Sequence, residues 1–200
     1  MKKMALLFAA ALMVMMLGAC SNYQFKATTN FELDDFNVQD HRENPVSLDS
    51  LKGEPWLAMF IFTNCPDICP PMTYNMKMIQ DELIAKDIED YKIVAFTVDP
   101  QRDTADVLKA YIDNYGVADE SKWYLLNDYD QKFIEQYAKK SFKTQVLAME
   151  DSVVHANTFY LVDQNGVAVK NYSGVQIGNS EVPFDTIVTD LETLIKQGNK

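Results

Sequence analysis

Seven consecutive apolar residues, Trp56 to Phe62, run almost directly into Cys65-Pro66-Asp67-Ile68-Cys69-Pro70-Pro71. An unbroken apolar run of this kind reads as a strand buried on both faces. The paired prolines suit the first turn of a helix, where a missing N–H costs nothing. Met72, Met76, Ile79 and Leu83 then recur at helical spacing, which predicts an amphipathic helix from Pro70 to about Lys86 with those methionines in its core face. The chain must therefore build a strand–loop–helix unit with two thiols at the junction.

The rest of the sequence extends that alternation. Tyr91 to Val98 reads as a second buried strand and Thr104 to Tyr115 as a helix capped near Asp103 or Thr104. A short strand at Trp123 to Leu126 and a helix at Asp130 to Lys140 follow. Strands at Thr158 to Val162 and Val167 to Tyr172 flank Asp163-Gln164-Asn165-Gly166, a hairpin signal, before a closing helix at Val182 to Gln197. Phe31 to Ser50 carries short apolar alternations broken by Asp34-Asp35 and by the turn starter Asn44-Pro45, so it is expected to form an irregular hairpin. The pattern predicts an α/β, thioredoxin-like domain with an N-terminal β-hairpin extension.

Residues 1–19 stand apart. Lys2 and Lys3 precede a nearly unbroken apolar stretch from Met4 to Leu17. It is shorter than the about 20 residues a membrane span needs but suits a secretory signal. Leu17-Gly18-Ala19-Cys20 resembles a bacterial lipobox, which implies cleavage before Cys20 and lipidation of its sulfur. Acyl chains contribute about 0.8 kcal/mol per buried methylene, so two or more give a stable anchor. The expected layout is a signal peptide (1–19), a polar tether (20–30) and one domain (31–200). The expected location is the extracytoplasmic side of the cell membrane. Without Lys2 and Lys3 the chain has 16 basic against 29 acidic side chains, a net charge of −13 that argues against a nucleic-acid partner.

With Cys20 lipidated, Cys65 and Cys69 remain as a pair in a compartment that can oxidise them. Their loop is too small to staple a domain of this size. At a helix N-terminus a thiol is expected to ionise more readily, and thiolate both attacks disulfides and binds metals. Three residues separate the thiols, where thioredoxin-like oxidoreductases mostly use two. No proline lies between Pro100 and Pro183 to face them, as one does in such enzymes. The corresponding place before the strand at Thr158 holds His155. Two thiolates and an imidazole suit Cu(I) and can hold Cu(II), although zinc accepts the same donors. His41, in a polar turn, is expected at the surface. Asp67 lies within the thiol loop, where it either meets the metal or is solvated.

The chain resembles the Sco (SenC-related) family of membrane-anchored, thioredoxin-fold proteins involved in assembling the copper site of cytochrome c oxidase. The matching segments are Phe62 to Thr73, Thr97-Val98-Asp99-Pro100-Gln101-Arg102-Asp103-Thr104, and His155 ahead of Phe159 to Gly166. The resemblance covers about residues 28 to 196, with Val146 to Val154 matching only loosely. It implies that Cys65, Cys69 and His155 bind copper, as Cu(I) or Cu(II), and that Asp99 lies near the site and tunes it. It also implies, as partners, the oxidase subunit that carries the copper site, a thiol reductant protein and the membrane.

Two functions remain open on this reading. One is a copper chaperone. The other is a thiol–disulfide oxidoreductase that reduces the cysteines of the oxidase copper site, with Cys65 and Cys69 as its catalytic pair. A thiol peroxidase fits less well, since Thr63-Asn64-Cys65 matches that chemistry only in part and no activating arginine is evident.

Overall fold

The computed structural model describes residues 23–149 and 152–198. In chain order the first elements are β1 (Phe31–Glu32), β2 (Asn37–Asp40), β3 (Pro45–Ser47), α1 (Leu48–Leu51) and β4 (Trp56–Ile61). The middle of the chain forms α2 (Cys69–Ala85), β5 (Lys92–Thr97), α3 (Ala105–Asp113), β6 (Trp123–Asn127) and α4 (Gln131–Ser141). The last third forms β7 (Leu147–Ala148), β8 (Val153–Val154), β9 (Thr158–Val162), β10 (Val167–Ser173) and α5 (Phe184–Gly198).

Every residue of β4 is buried, as its unbroken apolar run requires. It pairs in parallel with β5 and antiparallel with β9, so it lies at the centre of an eight-stranded sheet ordered β1-β10-β9-β4-β5-β6-β2-β3. The parallel β4–α2–β5 unit followed by the antiparallel β9–β10 hairpin and α5 is a thioredoxin-like core. Phe60 of β4 centres an aromatic cluster, stacked on Phe96 and edge-on to Phe142 and Tyr160. Truncating such a ring to alanine costs about 3–5 kcal/mol.

Local sequence accounts for most element ends. The Thr104 and Asp130 side chains cap α3 and α4 by accepting the N–H groups of Val107 and Phe133. Gly166, at φ +84°, closes the β9–β10 turn in the left-handed region that glycine adopts without strain. Met72 and Met76 are fully buried, as their helical spacing predicts.

The N-terminal region departs from expectation. Phe31 to Ser50 is not one hairpin but divides between opposite edges of the sheet. β1 pairs with β10 at one edge, while β2 and β3 form a hairpin that pairs with β6 at the other. The segment expected to be a tether lies along the domain from Tyr23 onward. The Thr28 and Thr29 N–H groups donate to the Val169 carbonyl, and the Tyr23 hydroxyl donates to buried Asp190. The expected signal peptide and the lipobox with Cys20 lie outside the described residues. Among the described residues, no helix is long and apolar enough to cross a membrane.

Candidate metal centre

The loop leaving β4 turns back at once, with the Cys65 N–H donating to the Phe62 carbonyl at 3.3 Å. This turn carries the Cys65 sulfur over the start of α2, where the Cys69 N–H donates to it at 3.4 Å. The extra residue between the thiols gives the loop enough length to place both sulfurs on one side. Cys65 and Cys69 are free thiols, and both are buried.

His155 reaches them from the segment between β8 and β9. Its Nε2 lies 3.2 Å from the Cys69 sulfur, and its Nδ1 donates to the Ala156 carbonyl at 3.0 Å. That second bond fixes the tautomer, leaving the Nε2 lone pair aimed at the thiols. The Phe62 ring packs edge-on against the imidazole, with centroids 5.8 Å apart. One donor atom from each of Cys65, Cys69 and His155 lies within 4.8 Å of the other two. The three are 8%, 0% and 9% exposed, so the site is shielded, with Cys65 and His155 keeping slight contact with solvent.

The electrostatics reverse one expectation. The helix N-terminus was expected to ease ionisation, yet burial pushes the Cys69 thiol well above its ordinary range. A backbone hydrogen bond at Phe62 opposes this, while Cys65 and the Asp103 charge reinforce it. Desolvation outweighs the half-charge of a helix end when a thiol has no contact with water. Burial likewise holds the His155 imidazole below its usual pKa, partly offset by the Ala156 carbonyl. The ring is therefore neutral at neutral pH, which is the ligating form.

The other sequence candidates are not among the three converging donors. Asp99 carries no atom of the converging group. Its carboxylate pairs with the Arg102 guanidinium at 3.1 Å, beside a cleft of 210 Å³ that Gln101 and Met149 also line. Asp67 is exposed in the loop. His41 is not at the surface but 3% exposed, wedged between β2 and β6. A cavity of 640 Å³ lined by Ile88, Tyr91, Asp119 and Lys122 includes none of the thiol-site residues.

Two groups near the thiols escaped the sequence reading. Asp103, 1% exposed, accepts from the Thr63 N–H at 3.2 Å and the Thr63 hydroxyl at 2.5 Å, two residues before Cys65. Burial holds its carboxyl above the usual range, against the hydrogen bonds from Thr63 and Thr97. Tyr111 lies under the helix start, its hydroxyl 2.7 Å from that of Thr73 and donating to the Cys69 carbonyl at 3.5 Å. Thr97 to Thr104 did contain the Asp103 signal, but one acidic residue of a matching segment cannot be told from another without knowing which one turns inward.

Comparison with known proteins points in one direction. The family model described as SCO1/SenC matches residues 26–192. The SCO1 protein homolog of Bacillus subtilis is 42% identical over 186 residues, 92% of this chain and 93% of that one. The solved structure of BsSco, a member of the Sco family of cytochrome c oxidase assembly proteins in which a disulfide switch is identified, superposes with a TM-score of 0.77. It is 42% identical and covers 86% of this chain and 98% of its own. A Stutzerimonas stutzeri protein named for copper binding is 40% identical over 76 residues, 38% of this chain and 37% of that one.

Proposed function

The chain belongs to the SCO1/SenC family, and from that premise we propose that it is a membrane-anchored copper chaperone serving the copper centre of cytochrome c oxidase. The observation that carries the reading is the convergence of two buried sulfurs and one neutral imidazole within 4.8 Å. Soft thiolates with an imidazole fit copper in both of its common oxidation states, and no carboxylate belongs to the group. Three protein ligands suffice to hold the cargo while leaving one side for a recipient. The lipobox ending in Cys20 supports anchoring.

The chain's own groups perform three tasks. Cys65 and Cys69 would release their protons to solvent as the metal takes their place, so binding tightens as pH rises. The Ala156 carbonyl keeps the His155 ring oriented and its Nε2 unprotonated. The buried surroundings exclude competing water. Redox state gates this cycle, because a Cys65–Cys69 disulfide would remove both sulfurs from the ligand set, in keeping with the switch identified in BsSco. In the oxidoreductase alternative burial makes Cys69 a poor attacking thiol, since a thiol held in its protonated form is a poor nucleophile.

Anaerobic copper titration of the reduced mature chain tests the reading. One copper per chain is expected, with a thiolate-to-Cu(II) absorption band that Cys65→Ser and Cys69→Ser each abolish. Deletion of the gene should lower oxidase activity and added copper should restore it. Undiminished copper affinity in both serine variants would sink the proposal.

A further inference from the structure

Asp103 is a buried charged group with no task in the cycle just described. Its side chain bridges the loop after β4 and the end of β5, accepting from the N–H and hydroxyl of Thr63 and from the hydroxyl of Thr97. Its carbonyl accepts from the Asn127 side chain at the end of β6, at 3.3 Å. No cation pairs with its carboxylate among the described residues, because the adjacent Arg102 pairs with Asp99 instead. Burying an ion without a counter-ion is expensive, and replacing such a group by a neutral one of the same shape is often harmless to stability. A fold does not need this charge to close its core.

What the charge does touch is the metal centre. Thr63 stands two residues before Cys65, so the carboxylate fixes the stem of the loop that sets the position of that sulfur. The field of Asp103 also reaches Cys69. In a shielded site such a field is screened far less than at a surface.

We propose that Asp103 is the positioning residue of the metal centre, fixing the Cys65 loop through Thr63 and biasing the bound copper toward Cu(II) over Cu(I). The inference rests on the copper reading. With both thiolates ionised and the imidazole neutral, the ligand set and ion together carry −1 with Cu(I) and no net charge with Cu(II). An additional buried negative charge therefore stabilises the doubly charged ion more than the singly charged one. Asp99, already neutralised by Arg102, contributes less of this bias.

The test uses the reduced mature chain and its Asp103→Asn variant, which keeps shape and an acceptor but removes the charge. Cu(I) and Cu(II) affinities are measured by chelator competition, together with the reduction potential. The preference for Cu(II) over Cu(I) should fall about tenfold, equivalent to a rise of about 59 mV for a one-electron couple. Asp99→Asn should shift it less. In the metal-free protein, amide exchange at Thr63 and Cys65 should quicken in Asp103→Ala. Equal loss of both affinities in Asp103→Asn, with the potential unchanged, would mean a structural role only and would overturn the proposal. Should Asp103→Asn fail to fold, Thr63→Val keeps the charge and deletes one donor. Faster exchange with no loss of Cu(II) preference supports the proposal, and a tenfold loss there overturns it. Failure of the parent chain to bind copper would instead sink the functional reading, and the parent titration reports that separately.

Discussion

His155 and His41 are both buried, and burial holds both rings below the ordinary imidazole pKa. They differ in what their nitrogens face. In His41 the Nδ1 accepts the Leu125 N–H at 3.3 Å and the Nε2 donates to the Glu120 carboxylate at 3.2 Å. Both of its nitrogens are committed to the protein, and the ring acts as a rivet between the β2–β3 hairpin and β6. His155 adopts the opposite tautomer, with Nδ1 tied to a carbonyl and the Nε2 lone pair turned toward a sulfur. Burial alone does not mark a ligand. A lone pair left for something softer than the backbone does.

Exchanging each ring for a methyl group is the strongest way to break that distinction. His155→Ala should lower copper affinity by at least about a hundredfold, since losing a ligand exceeds the about 10–100-fold cost of losing a supporting partner. His41→Ala should instead cost about 2–4 kcal/mol of stability, because it leaves a cavity, an orphaned Leu125 N–H and one Glu120 oxygen without its donor. Copper affinity per folded molecule should be unchanged in that variant. Urea denaturation and copper titration of both proteins decide the matter. If His41→Ala weakened copper as much as His155→Ala, the two rings would not have separate roles.

Acid should reveal what the rings share. Because each folded-state pKa lies below the ordinary imidazole value of 6.5, the unfolded chain binds protons more readily. Their stabilisation is thus complete above about pH 6.5 and is lost as pH falls toward the folded-state values. Asp40, held below its usual range despite burial by the Arg42 fork, adds a further loss at lower pH. Asp103, raised by burial, acts in the opposite sense, its native form taking up a proton first. The metal-free chain should therefore unfold at lower urea at pH 5.5 than at pH 7.5, and either alanine variant should flatten that difference. A flat profile in the parent would contradict the burial of both rings.

The central architecture was legible because it is locally encoded. β4 and β5 announce themselves as apolar runs, α2 by its prolines and periodic methionines, and the β9–β10 hairpin by Asp163 to Gly166. The thiol–imidazole convergence was legible once the fold was assumed, since a residue ahead of β9 must face the start of α2. What could not be read depended on long-range pairing. β1 and β2 stand five residues apart in sequence yet lie at opposite edges of the sheet, a choice made by β10 and β6. β7 and β8, two residues each, carry too little pattern to detect. His41 looked polar and external because its burial depends on β6, far along the chain. The same limit concealed Asp103 behind Asp99, four residues away, since only their partners, Thr63 and Thr97 for one and Arg102 for the other, tell them apart.

Glu120→Gln gives the finest test of the rivet. Glutamine can still accept from the His41 Nε2, so the hydrogen bond survives while the charge is lost. The second oxygen of Glu120 pairs with Lys109 at 3.2 Å, a half-exposed contact that contributes little. The loss of stability at neutral pH should stay within about 1 kcal/mol, well below that of His41→Ala. The acid limb should respond more clearly. Burial and Arg42 depress the His41 pKa, and Glu120 is one of the groups that oppose them. Without its charge the folded-state pKa falls further, so the window of acid destabilisation should reach to lower pH while copper binding is untouched. An unchanged acid limb would show that the Glu120 charge does not act on the ring, leaving His41 held by Leu125 and packing alone.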